Sequence, residues 1–183
     1  IRHRSVSRGL GDVYKRQAND PAEVTEYYQT YQTLVNNRSV AGVDIDLAMV
    51  NQPDFMTLTK QMRANEIRLI ASQTVTTATT DDLLATYHEL AATGADVVRV
   101  TVAGHDAQTV LALMAATEQA RQQLVVPIVA TAMGKFGRYN SVCSQLTGSA
   151  VAFGHVGRVG DQSQLAVSQV KQALQMLAPL EGA

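Results

Sequence analysis

The feature that most constrains this chain is a strict alternation of helical and strand patterns between Asp20 and Leu177. Five runs rich in apolar and β-branched residues read as strands: AGVDIDL (41–47), IRLIAS (67–72), VVRVTVA (97–103), VVPIVAT (125–131) and SAVAF (149–153). Each is separated from the next by a helical stretch. β-branched side chains suit a pleated surface, and a helix between successive strands implies a parallel sheet, because a parallel connection needs a long crossover. Doubly wound sheets and (β/α)8 barrels both satisfy this pattern. No Gly-x-Gly-x-x-Gly follows the first strand, which argues against a dinucleotide-binding unit. Gly154, Gly157 and Gly160 recur every third residue, but only after the last strand.

The helices announce themselves by their faces. Asp20-Pro21 reads as an N-cap and N1 proline, followed by Val24, Tyr27, Tyr28, Tyr31, Leu34 and Val35 on one side. The tyrosines are expected to pack rather than form a stacking platform. Gln52-Pro53 opens a helix with Phe55, Leu58, Thr59 and Met62 inward. The next helix, capped by Asp81 or Thr80 and ended by Gly94, carries Leu83, Leu84, Tyr87, Leu90 and Ala91. After Gly104-His105-Asp106 a long helix to about Gln122 is expected to turn Val110, Leu111, Met114 and Thr117 inward. A short helix around 140–146 and a last one over about 163–177, with Val167, Val170, Leu174 and Leu177 on its face, complete six.

At 183 residues with 46% apolar and 17% charged content, one soluble globular domain is expected. No apolar run reaches the ~18 residues of a membrane span. Cys143 is the only cysteine, so an internal disulfide is excluded and a reducing, cytoplasmic setting is expected. Cys143 itself reads as a small buried apolar residue. Net charge −1 argues against a nucleic-acid partner. The charge is uneven: residues 1–17 hold Arg2, Arg4, Arg8, Lys15 and Arg16 against Asp12 alone, net +4, which leaves −5 on the rest. That segment has no helical or strand period and resembles translated sequencing adapter. It is read as a non-native or disordered leader, with the domain at 18–183.

The pieces VDIDL, GADVVRVTVAGHDAQTVLALM, VPIVATAMGKFG and GSAVAFGHVGRVGDQSQL keep an order that resembles the C-terminal two-thirds of type I 3-dehydroquinate dehydratase. The resemblance implies an α/β fold: an incomplete (β/α)8 TIM barrel of five parallel strands and about six helices, with the first three strands missing. It implies dehydration of 3-dehydroquinate to 3-dehydroshikimate in the shikimate pathway, with no cofactor and no metal. In that family a strand lysine forms a Schiff base with the substrate ketone, and the iminium acts as electron sink. A histidine one strand earlier moves the proton, an arginine holds the substrate carboxylate, and a serine and a glutamine on the last loop close over the ligand.

Carried across position by position, the resemblance puts Arg99 at the Schiff-base lysine and Thr74 at the histidine. Ser141 falls at the substrate arginine, with Arg138 one turn earlier as a stand-in. Arg158 falls at the loop serine, Gln162 at the loop glutamine and Lys135 at a lysine of the turn after the penultimate strand. An arginine stays protonated and is no amine nucleophile, so the Schiff-base route is expected to be lost.

Other residues carry open alternatives. Arg99 alternates with Val98, Val100 and Val102, so it either clamps a ligand carboxylate or pairs with Asp44 or Asp46. Asp44 and Asp46 share a strand face, yet no histidine stands at ligand spacing, so no metal site is assigned. His105 and His155 lie at strand ends, where a base would be placed, although loop histidines usually face solvent. His88 sits on the outer side of a helix. Two functions of different class follow: a dehydratase-like enzyme with degraded catalysis, or a catalytically dead barrel binding a small carboxylated polyhydroxy ring as a regulatory or partner subunit. A small carboxylate ligand is expected, without nucleic acid or membrane, and a homodimer is left open. A chain of five strands cannot close an eight-stranded barrel, so its first strand is expected to be an exposed, aggregation-prone edge.

Overall fold

The computed structural model describes residues 21–76, 79–104, 106–157 and 164–178. The expectations for the 1–17 leader, Asp20, His105, Arg158 and Gln162 lie outside them. The chain divides into two units, Ile1–Leu69 and Ile70–Ala183.

The first unit holds α1 (Pro21–Asn36), β1 (Gly42–Asp46), α2 (Leu47–Val50), α3 (Pro53–Ala64) and the first residues of β2 (Arg68–Val75). Val43 and Ile45 are buried while Gly42, Asp44 and Asp46, which alternate with them, are half-buried, the period of two that a strand requires. The tyrosines of α1 pack as expected. Tyr28 and Tyr31 are buried, and their hydroxyls donate to Met49 O at 2.6 Å and Asp44 O at 2.9 Å. Burial, and secondarily the nearby Asp54 carboxylate, pushes the Tyr28 hydroxyl pKa well up. Phe55, Leu58, Thr59 and Met62 are the buried residues of α3, as its spacing predicts.

In the second unit β2 continues to Val75 and pairs in parallel with β3 (Val97–Ala103), which pairs in parallel with β4 (Ile128–Met133). The helices are α4 (Thr80–Ala92), α5 (Ala107–Gln123), α6 (Gly137–Val142), α7 (Ser144–Thr147) and α8 (Val167–Leu177). Val98, Val100 and Val102 are fully buried, as are Leu83, Tyr87 and Leu90 of α4 and Leu113, Ala116 and Ala120 of α5. Each large apolar side chain so buried contributes about 1.5–3 kcal/mol. Tyr87 Oη and Thr117 Oγ1 lie 3.0 Å apart, tying α4 to α5 through the core.

Five expectations about the elements are corrected, and one about the burial of Cys143. The helix 80–92 is capped by Thr79, not by Asp81 or Thr80. The Thr79 hydroxyl accepts from Asp82 N, and the Asp82 carboxylate accepts from Thr79 N, a reciprocal capping box. The inward stripe of α5 runs through Thr109, Val110, Leu113, Ala116, Thr117 and Ala120, leaving Leu111 63% exposed and Met114 half-buried. The short helix expected around 140–146 starts at Gly137 and breaks at Cys143, which is half-buried rather than buried. On α8 only Val170 is buried, and Leu177 is 59% exposed.

The fifth correction concerns SAVAF. Residues 149–154 belong to no strand, and the described residues hold four strands and eight helices. Ala150 N donates to Ile128 O at 2.7 Å, the bond a parallel neighbour of β4 would make. The next ladder position is taken by a side chain: the Ser149 hydroxyl accepts from Ala130 N at 3.1 Å and donates to Val151 O at 3.0 Å. A local side-chain bond thus replaces the backbone pairing that would extend the sheet.

Candidate functional site

The register of β2, β3 and β4 decides which side chains share a face. Ser72, Arg99 and Val129 are partners in one row, and Thr74, Thr101 and Thr131 in the next row toward the strand ends. Residues paired across parallel strands point to the same side, and the valines alternating with Arg99 point to the other. Exposure rises along this face. Ser72 and Val129 are buried, Thr101 is 8% exposed, Thr131 is half-buried, and Thr74 and Met133 are exposed. The face therefore opens toward the carboxyl ends of the strands, the end at which parallel α/β sheets place ligands.

Arg99 is half-buried in the middle of β3, flanked by fully buried Val98 and Val100. Thr74 stands one row nearer the opening. The two positions that the resemblance assigns to nucleophile and base thus share one face of one sheet. A guanidinium offers five donors in a fixed fork and no free lone pair, and a threonine hydroxyl is a poor base. This pairing can bind oxygen-rich groups; it lacks an amine and a proton acceptor.

The loop after β4 supplies three more candidates. Lys135 is exposed, its ammonium 4.8 Å from the centre of the Phe136 ring. Arg138 is exposed and Ser141 half-buried, one turn apart on α6. Two contacts hold this loop. Gly104 N donates to Met133 O at 2.7 Å, so the chain ends of β3 and β4 touch, and Gly134 turns away with φ 84°. Asn140, 3% exposed, donates from Nδ2 to Ala130 O at 2.8 Å and pins α6 to β4.

The remaining candidates play structural parts. Asp46 caps α2, its carboxylate accepting from Ala48 N at 3.0 Å. His88 is exposed, as expected, and its Nε2 lies 2.8 Å from Gln123 Oε1. The backbone of His155 pairs with that of the chain entering α8, donating to Leu165 O at 2.9 Å and accepting from Val167 N at 3.1 Å. No three His, Cys, Asp or Glu side chains converge among the described residues. An open groove of about 880 Å³ lies at the first turns of α4 and α5, lined by Thr79, Asp82, Asp106, Gln108, Thr109 and Leu111 among others. Its two carboxylates already serve as caps, Asp82 to Thr79 and Asp106 to Thr109 N at 2.7 Å.

Sequence reasoning placed Thr101 on the face of Arg99 and missed Thr131, Asn140 and Ser149. The signal for Thr131 was a polar residue standing in an otherwise apolar strand; nothing in sequence marks Asn140 or Ser149.

Comparison with known proteins gives the family and the fold. The family model described as type I 3-dehydroquinase matches residues 14–181. The 3-dehydroquinate dehydratase of Geobacillus thermodenitrificans is 30% identical over 171 residues, covering 89% of this chain and 64% of that protein. This chain thus spans under two thirds of that relative's length. Among solved structures, the 3-dehydroquinate dehydratase of Geobacillus kaustophilus superposes with a TM-score of 0.76 at 26% identity, covering 86% of this chain and 60% of the other. That of Enterococcus faecalis gives 0.75 at 26%, covering 85% and 62%. No helix among the described residues is long and apolar enough to cross a membrane.

Proposed function

This chain belongs to the type I 3-dehydroquinase family, and on that premise we propose that it is a 3-dehydroquinate dehydratase-like protein in which the Schiff-base route is lost. We read its strands as part of a (β/α)8 barrel acting in the cytoplasm. In this reading it holds 3-dehydroquinate, or a related carboxylated polyhydroxy ring, without forming a covalent bond to it. It then serves as a binding subunit rather than as a catalyst of the family reaction.

The observation that carries this reading is Arg99 in mid-strand, in one row with Ser72 and Val129. An amine must lose its proton to attack a ketone, and the iminium so formed is the electron sink for removing the adjacent proton. A guanidinium provides neither step. Thr74, one row away, offers no group that titrates near neutral pH. Lys135 is exposed, whereas an amine tuned for carbonyl attack is desolvated or held beside another cation. Lys135 and Arg138 suit the carboxylate of an arriving ligand.

Two measurements on the full chain test the reading. Quinate is titrated calorimetrically, and 3-dehydroquinate is incubated while the conjugated enone product is followed by ultraviolet absorbance. We expect binding of quinate and no enone above the uncatalysed rate. Sustained turnover that scales with protein concentration would contradict the reading.

A further inference from the structure

We propose that Thr74, Thr101 and Thr131 form a row of hydroxyls that recognises the hydroxyl groups of a polyhydroxylated ring; this rests on the non-covalent reading above and names the part of the ligand that the sheet face takes. The three residues are consecutive register partners on β2, β3 and β4. Their side chains share a face, and neighbouring positions stand about 4.8 Å apart, the scale of a six-membered ring. The row begins where the face opens: Thr74 is exposed, Thr131 half-buried, and Thr101 8% exposed.

The second observation is the state of Thr131. Its Oγ1 is shielded from water and makes no hydrogen bond. Buried hydroxyls in folded proteins nearly always have a partner, because losing water without replacing its bond is unfavourable. When the side chain turns about χ1 to another staggered rotamer, its hydroxyl meets the open side of the row, where a ligand hydroxyl supplies what is missing, since each hydroxyl both donates and accepts. The chemistry of the row is neutral. It matches the ring hydroxyls of a polyol acid rather than its carboxylate, for which Lys135 and Arg138 stand on the following loop and helix. A site built from hydroxyls discriminates strongly against a ligand that lacks them, because its own groups are then left unpaired.

The test compares quinate with cyclohexanecarboxylate, which has the ring and the carboxylate but no hydroxyls, by calorimetry on the full chain. Thr131→Val keeps the shape and removes the hydroxyl; Thr131→Ser keeps the hydroxyl. We expect quinate to bind the unmodified chain at least about tenfold more tightly than cyclohexanecarboxylate, Thr131→Val to erase most of that preference, and Thr131→Ser to retain it. Because the hydroxyl has no partner in the free protein, Thr131→Val should melt no lower than the unmodified chain. Equal binding of the two acids, binding of neither, or quinate binding untouched by Thr131→Val overturns the row. Quinate has no ketone and forms no Schiff base, so equal binding of the two acids, or quinate binding untouched by Thr131→Val, overturns the row alone; binding of neither acid overturns the row together with the binding reading above, and turnover or covalent capture of 3-dehydroquinate overturns that reading alone.

Discussion

Thr74 and Thr101 face each other across the parallel β2–β3 ladder, one row nearer the strand ends than Arg99. With Arg99 two residues before Thr101 on the same strand, Thr74 and Arg99 share one sheet face; these are the positions that the resemblance assigns to the family's base and nucleophile. On the reading proposed above, hydroxyls and a guanidinium stand on this face where the family reaction needs an amine and a base.

The buried bond between α4 and α5 should respond asymmetrically to loss of either partner. Thr117 Oγ1 lies 3.0 Å from the Tyr87 hydroxyl and also donates to Leu113 O at 2.6 Å. Tyr87→Phe therefore leaves Thr117 satisfied and should cost about 0.5–1.5 kcal/mol. Thr117→Val strands the Tyr87 hydroxyl in a site with no exposure and should cost more, about 1–3 kcal/mol. Urea melts of the two variants rank them; the reverse order would refute the assignment.

The capping box makes part of the stability of α4 depend on acid. Hydrogen bonds from the Thr79 side chain and then its backbone hold the Asp82 pKa below its ordinary value of 3.8. A depressed folded pKa means that stability is present at neutral pH and is lost as pH falls from that ordinary value through the folded one. Asp82→Asn should flatten the acid limb of the stability–pH curve while leaving its neutral limb level. Thr79→Ala should lower stability at neutral pH by about 1 kcal/mol. An acid limb unchanged by Asp82→Asn would show that the box contributes nothing.

Gly104 should be the least replaceable glycine of the rim. A Cβ there would lie 2.5 Å from Met133 O, a backbone atom. Gly104→Ala must separate the ends of β3 and β4 and should cost about 2–3 kcal/mol. Gly157 provides the contrast: φ is 85° but nothing lies within 4 Å of a built Cβ, so Gly157→Ala carries only the left-handed strain of about 1–2 kcal/mol. Thermal melts that rank Gly157→Ala as the more damaging would contradict the close contact at Gly104.

What could be read from sequence divides along physical lines. β3 and the buried face of α3 were legible because one strand's alternation and one helix's period are local properties. The face of α5 was not, since Val110 and Leu111 are adjacent apolar residues and only packing decides which turns inward. The strand expected at 149–153 failed because the Ser149 hydroxyl takes the place of a backbone partner, a competition invisible in the apolar pattern. In the site, Arg99 and Thr74 were singled out by resemblance alone. That Arg99 shares a face with Thr101 follows from alternation within one strand; that Thr74 and Thr131 join them follows only from the register between strands, which no single segment encodes.

The central claim is that no amine of this chain attacks a substrate ketone, and borohydride reduction in the presence of 3-dehydroquinate tests it most directly. Arg99→Lys run in parallel restores an amine at that position and should gain a reducible adduct, which shows that the trap works. The account predicts that the unmodified chain keeps its intact mass, without a reduced adduct on Lys135 or any other lysine. A stoichiometric adduct on the unmodified chain would contradict it.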